Sequence, residues 1–436
     1  MTSEVYVWVY LPGDTRPTLC GLFSHTATAA GTPVGTFVYG KSYLANTDRI
    51  PLDPVALPLR PVTFSTTALN GVFGSINDAM PDDWGRYVID KLQGVKAFPV
   101  GYMLATLDDS IGNLAFSAAS TQAPSGLNPI GMDLLPAARE VLLGIEQGQA
   151  VPKALEGRLR PNTAMGGARP KLTVQHDERL WLAKFPSTRD DQNLPDAKLE
   201  AAMLALGVLC GIHTAKAHVV LGDVLLVERF DRAWVDGPEP GWRRDSFLSA
   251  RTIFNAGTGA HQTYAAGGYG RLATELVRFS ADPQADQKEL FRRMVFNVCI
   301  SNTDDHDRNH GVLADDQPGF YRLSPAYDLL PKQHPTLRKY QAMTLGGSES
   351  LGTRENLLAD CARFSLSPTE AEVIVKEVES GVARHWQACL RDQGVSAAAI
   401  DQLQPCFAGI PLTAKEVDQA ITSRQNQGAG KDQAST

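Results

Sequence analysis

Asp304, Asn309 and Asp328 are the residues of this 436-residue chain whose types and spacing point most directly to chemistry. An apolar, helix-patterned run ends in Asn302-Thr303-Asp304-Asp305-His306-Asp307-Arg308-Asn309. A strand-like stretch then separates that loop from Leu323-Ser324-Pro325-Ala326-Tyr327-Asp328. An acid, an amide five positions on and a second acid beyond a strand suit phosphoryl transfer. That reaction asks for little covalent help. It needs a group to orient the attacking hydroxyl, oxygen ligands for a divalent ion, and cations on the phosphates. Asp304 is the candidate for the hydroxyl. Asn309 and Asp328 are the candidate magnesium ligands, because this hard ion takes carboxylate and amide oxygens and lets substrate phosphates complete its octahedron. A solvated polar turn explains either acid alone, but explains acid, amide and acid in this order poorly.

The cations that such a site requires occur upstream. Lys184 lies in the strand-like Leu182-Ala183-Lys184-Phe185-Pro186, where alternation turns one lysine inward. In kinases a strand lysine holds the α- and β-phosphates and is tethered by a helix glutamate; Glu200, in the next helical stretch, is the candidate partner. Met165-Gly166-Gly167-Ala168-Arg169-Pro170-Lys171 is a glycine-rich loop with two cations leading into a strand, so backbone N–H groups and charge can both approach phosphate. It matches neither GxxxxGK[ST] nor GxGxxG, and by itself is a weak signal. Glu228-Arg229-Phe230-Asp231-Arg232 closes a hairpin strand where a kinase hinge would run, and an ordinary charged strand end has the same composition.

The elements that must position these residues read as follows. Aromatic and β-branched runs at 5–10 and 35–39 predict strands, 82–92 a helix and 111–117 another strand, while the loop composition of 121–130 marks a subdomain boundary. Residues 168–174 and 180–185 predict strands around a turn at 175–178. Residues 196–209 predict a helix with Asp196 as N-cap and Gly211 as its stop, and 216–221 with 224–230 predict a hairpin around Gly222-Asp223. Residues 272–300 and 368–404 read as helical, and the polar stretch from Ser423 as a disordered tail. The expected division is thus 1–125, a β-rich N-terminal subdomain; 126–232, a lobe with phosphate loop, lysine and hinge; 233–422, a helical lobe with the acidic loop; and 423–436, the tail. The fold class is α+β, bilobal and kinase-like.

Composition bounds the function classes. The chain is 43% hydrophobic and 20% charged with a net charge of −7, which suits a globular protein and argues against a surface that coats nucleic acid. No apolar run approaches the ~18 residues of a membrane span, and the first residues lack the basic and small-residue pattern of a signal peptide. The six cysteines form no CxxC pair, so the expectation is a cytoplasmic chain with free thiols.

Together these pieces resemble the HipA family of toxin serine/threonine kinases, in the family's order and across nearly the whole chain. PDDWGR at 81–86 and IGNLAF at 111–116 resemble its N-terminal subdomain, GGARPK at 166–171 its phosphate loop and LAKFP at 182–186 its ATP lysine. VERFDR at 227–232 resembles the adenine segment, TDDHDRN at 303–309 the catalytic loop and LSPAYD at 323–328 the magnesium motif. The resemblance implies Asp304 as the catalytic residue. It implies an ATP site made by Gly166, Gly167, Ala168, Arg169, Pro170, Lys171, Lys184, Glu228, Phe230, His306, Asn309, Tyr327 and Asp328. It further implies a protein substrate, typically an aminoacyl-tRNA synthetase whose modification halts translation, and a small helix-turn-helix antitoxin that carries the pair to operator DNA. One departure stands out: the family often has an autophosphorylated serine seven residues before the loop lysine, where this chain has Ala164, with Thr163 adjacent. Three other readings stay open on the residues alone. They are a small-molecule or lipid kinase, a metal-dependent nuclease built on Asp304, Asp305, His306, Asp307 and His310, and a catalytically silent DNA-bound corepressor.

Overall fold

The computed structural model describes residues 3–93, 98–106, 108–124, 127, 129–149, 169–191, 193–255 and 267–432. The chain forms two compact units, each threaded from separate segments. Unit 1 comprises Met1–Asp191, Ala215–Gln262 and Arg308–Ser324, and unit 2 comprises Gln192–Thr214, Thr263–Asp307 and Pro325–Thr436.

Unit 1 opens with an antiparallel sheet of β1 (Ser3–Tyr10), β2 (Pro17–Ala27), β3 (Pro33–Tyr39), β4 (Thr63–Thr66) and β5 (Leu114–Ser117), in the order β4-β3-β2-β1-β5. Strand alternation sorts β1 between two cores: Val5, Val7 and Val9 join one, while Trp8 and Tyr10 pack on Ala115 in the other. The strand predicted at 111–117 begins only at Leu114, because Gly112 takes φ +76 and its N–H is bound by the Asp231 carboxylate.

A second sheet carries β6 (Ile130–Gly131), β7 (Lys171–His176), β8 (Arg179–Lys184), β9 (Ala217–Val220) and β10 (Val224–Glu228) in the order β6-β7-β8-β10-β9. Its two hairpins turn on paired left-handed residues, Asp177 with Glu178 and Leu221 with Gly222, whose twist matches that of the strands. The Leu135–Glu146 helix covers it, with Leu135, Ala138, Leu142 and Ile145 in one core with Leu172, Val174, Ala183 and Leu226. The unit is completed by the hairpin β11 (Arg232–Val235) with β12 (Gly241–Arg244), and by the sheet β13 (Phe247–Ser249), β14 (Gly311–Ala314) and β15 (Tyr321–Leu323).

Unit 2 is helical. The Asp196–Leu209 helix packs on the long Pro368–Asp392 helix, and the Pro283–Cys299 helix packs on both the latter and the Tyr269–Phe279 helix. Gly381 lets the long helix approach closely, since a Cβ there would lie 3.0 Å from the Cys210 sulfur. Pro195, not Asp196, is the N-cap of the first of these helices, and Asp196 sits in its first turn, where a carboxylate favours the helix dipole. The run predicted as one helix over 272–300 divides at Asp282-Pro283. Asp282 caps the second helix by accepting from the Ala285 N–H at 3.1 Å, and the following proline excludes it from helical geometry. The final helix, Ala414–Asp432, continues into the segment read from composition as a tail.

Candidate active site

Asp304 is displayed by a turn that the end of the Pro283–Cys299 helix dictates. Ser301 adopts φ +56 just past that helix. The Asn302 N–H bonds the Asn297 carbonyl at 2.8 Å and the Ser301 N–H bonds that of Val298 at 3.1 Å, a Schellman closure with serine where glycine is usual. The left-handed serine costs about 1–3 kcal/mol, offset by Lys339 donating to its Oγ at 2.8 Å and by its own bond to the Cys406 carbonyl at 2.6 Å.

The two neighbouring acids then diverge. Asp305 is buried and accepts from Tyr269 Oη and, at 2.8 Å, from Asn297 Nδ2. Burial, and then the Asp305 carboxylate, push the Tyr269 phenol well above its ordinary value, so it remains a donor. Asn297 passes the chain on, its Oδ1 accepting from Asn302 Nδ2 at 3.0 Å. Asp304 has a side chain 68% exposed, and its ion-pair neighbour is Lys332 Nζ at 3.7 Å. One acid is consumed in holding the loop and the other is presented to solvent. The metal cluster considered for a nuclease therefore loses Asp305, and among the described residues no three His, Cys, Asp or Glu side chains are grouped to hold a metal ion.

The same network reaches Asp328. This residue is left-handed, at φ +59, a conformation that aspartate tolerates better than most side chains. Its N–H donates to Glu200 Oε1 at 3.1 Å, and its carbonyl accepts from Asn302 Nδ2 at 3.5 Å. Ala326 is tied by its N–H to the His213 carbonyl at 2.8 Å, and Tyr327 is buried. Glu200 Oε1 thus holds the backbone of the second acid. His306 is half-buried, and its Nδ1 is shielded from solvent without a hydrogen-bond partner among the described residues. In unit 2, then, the fold brings Asp305, Asp328 and Glu200 into one hydrogen-bonded framework through Asn302 and Asn297, and Asp304 stands on the turn that this framework holds. The carboxylate of Asp328 and the amide of Asn309, which is buried in unit 1, are oxygen donors of the kind that magnesium takes.

The remaining candidates lie in unit 1. Gly166, Gly167 and Ala168, with Thr163 and Ala164, fall outside the described residues. Arg169 donates to Asp190 at 2.8 Å, and the Pro170 carbonyl accepts from the Phe185 N–H at 2.8 Å. Lys171, expected at the phosphates, is 2% exposed and its ammonium is paired with Asp82. Asp82 Oδ1 in turn accepts from the Gly85 N–H at 2.8 Å at the start of the Asp83–Gln93 helix. Lys171 and Lys184 are register partners across β7 and β8, so their side chains share a face. Asp82 offsets the repulsion that this would create.

The segment expected as the hinge is divided by alternation. Arg229 and Asp231 point inward, into a network with Asp109, Arg232, Asp108 and Arg244. Arg229 bonds both Asp231 oxygens at 3.0 and 2.8 Å, Arg232 bonds Asp231 at 2.7 Å, and Arg244 pairs with Asp108. Burial alone would raise the Asp231 carboxyl, but Arg229 and Arg232 outweigh it and hold that carboxyl well below the usual range. Burial, then Arg244, lower the Arg232 guanidinium to about 9. Glu228 and Phe230 alternate to the other side. The Glu228 carboxylate pairs with Arg179 and, at 3.4 Å, with Lys216, and its N–H is taken by the Lys216 carbonyl at 2.8 Å. Phe230 lies against Phe247 with ring centroids 6.4 Å apart. Sequence reasoning missed the Asp82 partner of Lys171, the inward role of the arginines and Lys332. Pairings between residues so distant in the chain leave no periodic signal.

Comparison with known proteins follows the same lines. Residues 163–386, more than half of the chain, match the family model described as the HipA-like C-terminal domain. Y4mE of Sinorhizobium fredii, a protein whose name classes it as a candidate kinase, is 24% identical over 335 residues, covering 71% of this chain and 75% of its own. Y4dM of the same organism, named in the same way, is 28% identical over 167 residues, covering 34% of this chain and 37% of its own. Among solved structures, one from Shewanella oneidensis MR-1, of the toxin–antitoxin proteins HipA and HipB with operator DNA, superposes with a TM-score of 0.61. The identity is 16%, over 93% of this chain and 96% of that one. The architecture is accordingly the α+β, kinase-like fold of HipA, and the chain belongs to the HipA family.

Proposed function

We propose that this chain is a serine/threonine protein kinase of the HipA type that transfers the γ-phosphate of ATP to a protein hydroxyl with magnesium. The observation that carries the proposal is the divergence of the two adjacent acids: a buried Asp305, hydrogen-bonded through Oδ2, holds a turn that presents Asp304 to solvent. Phosphoryl transfer is mostly positioning and electrostatics, and such a turn supplies the positioned acid.

Asp304 accepts the proton of the attacking hydroxyl. Lys184 holds the α- and β-phosphates. Asn309 and Asp328 are the residues that would hold magnesium, which when bound neutralises charge on the β- and γ-phosphates. The loop of Gly166, Gly167, Ala168, Arg169 and Pro170 supplies N–H groups and a guanidinium to the phosphates, while Lys171 acts as the buried counter-ion of Asp82. Glu228 and Phe230 border the adenine, and His306 and Tyr327 complete the nucleotide contacts.

Family membership supports the rest of the reading. The chain is the toxin of a toxin–antitoxin pair, neutralised by a small helix-turn-helix protein that links it to operator DNA. Its target is a translation component such as an aminoacyl-tRNA synthetase, in the cytoplasm; among the described residues no helix is long and apolar enough to cross a membrane. With Ala164 at the family's serine position, self-inactivation is absent or moved to Thr163. The test is phosphosite mapping by mass spectrometry after incubating purified protein with ATP, magnesium and a cell lysate. New phosphoserine or phosphothreonine on a discrete lysate protein supports the proposal. Phosphate appearing only on small molecules, or only as free phosphate, overturns it.

A further inference from the structure

Lys332 is the feature of unit 2 that the proposed mechanism leaves unused. It follows Asp328 by four positions and its Nζ lies 3.7 Å from Asp304 Oδ2, with side chains 43% and 68% exposed. An ion pair so open to water contributes little to stability, yet the backbone beneath it is fixed at both ends. The Lys332 N–H donates to the Ser301 carbonyl at 3.1 Å and the Lys332 carbonyl accepts from the Cys406 thiol at 3.5 Å. Ser301 is the left-handed residue that closes the helix before Asp304. The lysine and the acid are therefore held by one turn, with only their side-chain ends free to rearrange.

Resting on the kinase reading above, we propose that Lys332 is a catalytic residue that binds the phosphoryl group in flight. In the transfer, a bond forms between the acceptor hydroxyl oxygen and the γ-phosphorus, and the bond from that phosphorus to the β–γ bridging oxygen breaks. The hydroxyl proton passes to Asp304, and ADP leaves with the electron pair of the broken bond. The phosphoryl oxygens pass to the acceptor hydroxyl next to Asp304, whose carboxylate repels them. A flexible ammonium that lies within 4 Å of the Asp304 carboxylate can leave it for the phosphoryl oxygens, placing a donor where charge must be stabilised. No sequence motif marks it, because the four-residue offset from Asp328 becomes meaningful only when the 325–332 segment folds back onto Ser301.

The test compares wild type, Lys332→Met, Lys332→Arg and Asp304→Asn for γ-phosphate transfer into a lysate protein. Thermal midpoint, ADP affinity and inhibition by ADP with aluminium fluoride, a mimic of the phosphoryl in flight, are measured in parallel. Lys332→Met should slow transfer on the order of 10²-fold, the loss typical of one such donor. It should weaken the aluminium fluoride complex by a comparable factor and leave the thermal midpoint and ADP affinity at wild-type values, and Lys332→Arg should recover most of the rate. Wild-type transfer by Lys332→Met, with Asp304→Asn inactive, overturns this role and leaves the kinase reading standing. Equal transfer by Asp304→Asn, or none by wild type, removes the kinase reading and this inference with it.

Discussion

Replacing each of the adjacent acids with alanine should produce opposite phenotypes. Asp305→Ala removes the acceptor of two buried donors, Tyr269 Oη and Asn297 Nδ2. Losing a hydrogen bond from a buried site costs about 1–3 kcal/mol, so losing both costs about 2–6 kcal/mol. For a unit of this size that lowers the thermal midpoint by on the order of 10 °C. Asp304→Ala removes an exposed carboxylate whose ion-pair neighbour is 3.7 Å away, worth about 0–1 kcal/mol, so its midpoint should stay within a few degrees of wild type. Its phosphotransfer should fall by roughly 10²–10⁴-fold, the usual contribution of a positioned base. The assay is thermal unfolding followed by circular dichroism on both variants, with transfer measured well below either midpoint. A wild-type midpoint for Asp305→Ala, or a large drop for Asp304→Ala, would refute the assignment of one acid to structure and the other to chemistry.

Other expectations follow from the same contacts. Lys184→Met should weaken nucleotide binding by titration calorimetry without altering the circular dichroism spectrum; unchanged affinity removes Lys184 from the phosphate site. Asp231→Asn leaves Arg229 and Arg232 buried with too little compensating charge, and should cost about 3–5 kcal/mol in urea unfolding. Asp53 is 1% exposed and its carboxyl is raised to about 6 by burial, against the N–H bonds of Ala56 and Val55. Because the folded value lies above the unfolded one, the penalty is fully present above about pH 6 and is relieved as pH falls towards 4. A tenfold change in proton affinity is worth ~1.4 kcal/mol, so Asp53→Asn should stabilise unit 1 by about 3 kcal/mol at pH 8 and by little at pH 4. An equal effect at both pH values contradicts this.

The parts of the molecule legible from sequence were those written in local pattern. The valines of β1, the β7–β8 hairpin, the helix before the acidic loop and the acid–amide–acid spacing all follow from periodicity, turn chemistry or fixed offsets. What the sequence hid depends on who meets whom. Arg229 and Asp231 read as part of a hinge or a charged strand end, and became a buried network only when the 108–112 turn and β12 closed over them. Lys171 read as a phosphate ligand by its place after glycines, and its pairing with Asp82, far upstream, left no local signal. Glu200 read as a tether for Lys184, and no sign in the sequence shows that its carboxylate also receives the N–H of a left-handed Asp328. The split at Asp282-Pro283 was readable in principle, since a capping aspartate before a proline is a local signal that the apolar run masked.

The central claim is tested most directly by transfer of radiolabelled γ-phosphate from ATP into proteins of a cell lysate, with wild type and Asp304→Asn, each with magnesium and with EDTA. The account predicts a labelled protein band with wild type and magnesium, and none in the other three reactions. A band of equal intensity with Asp304→Asn, or in EDTA, contradicts it.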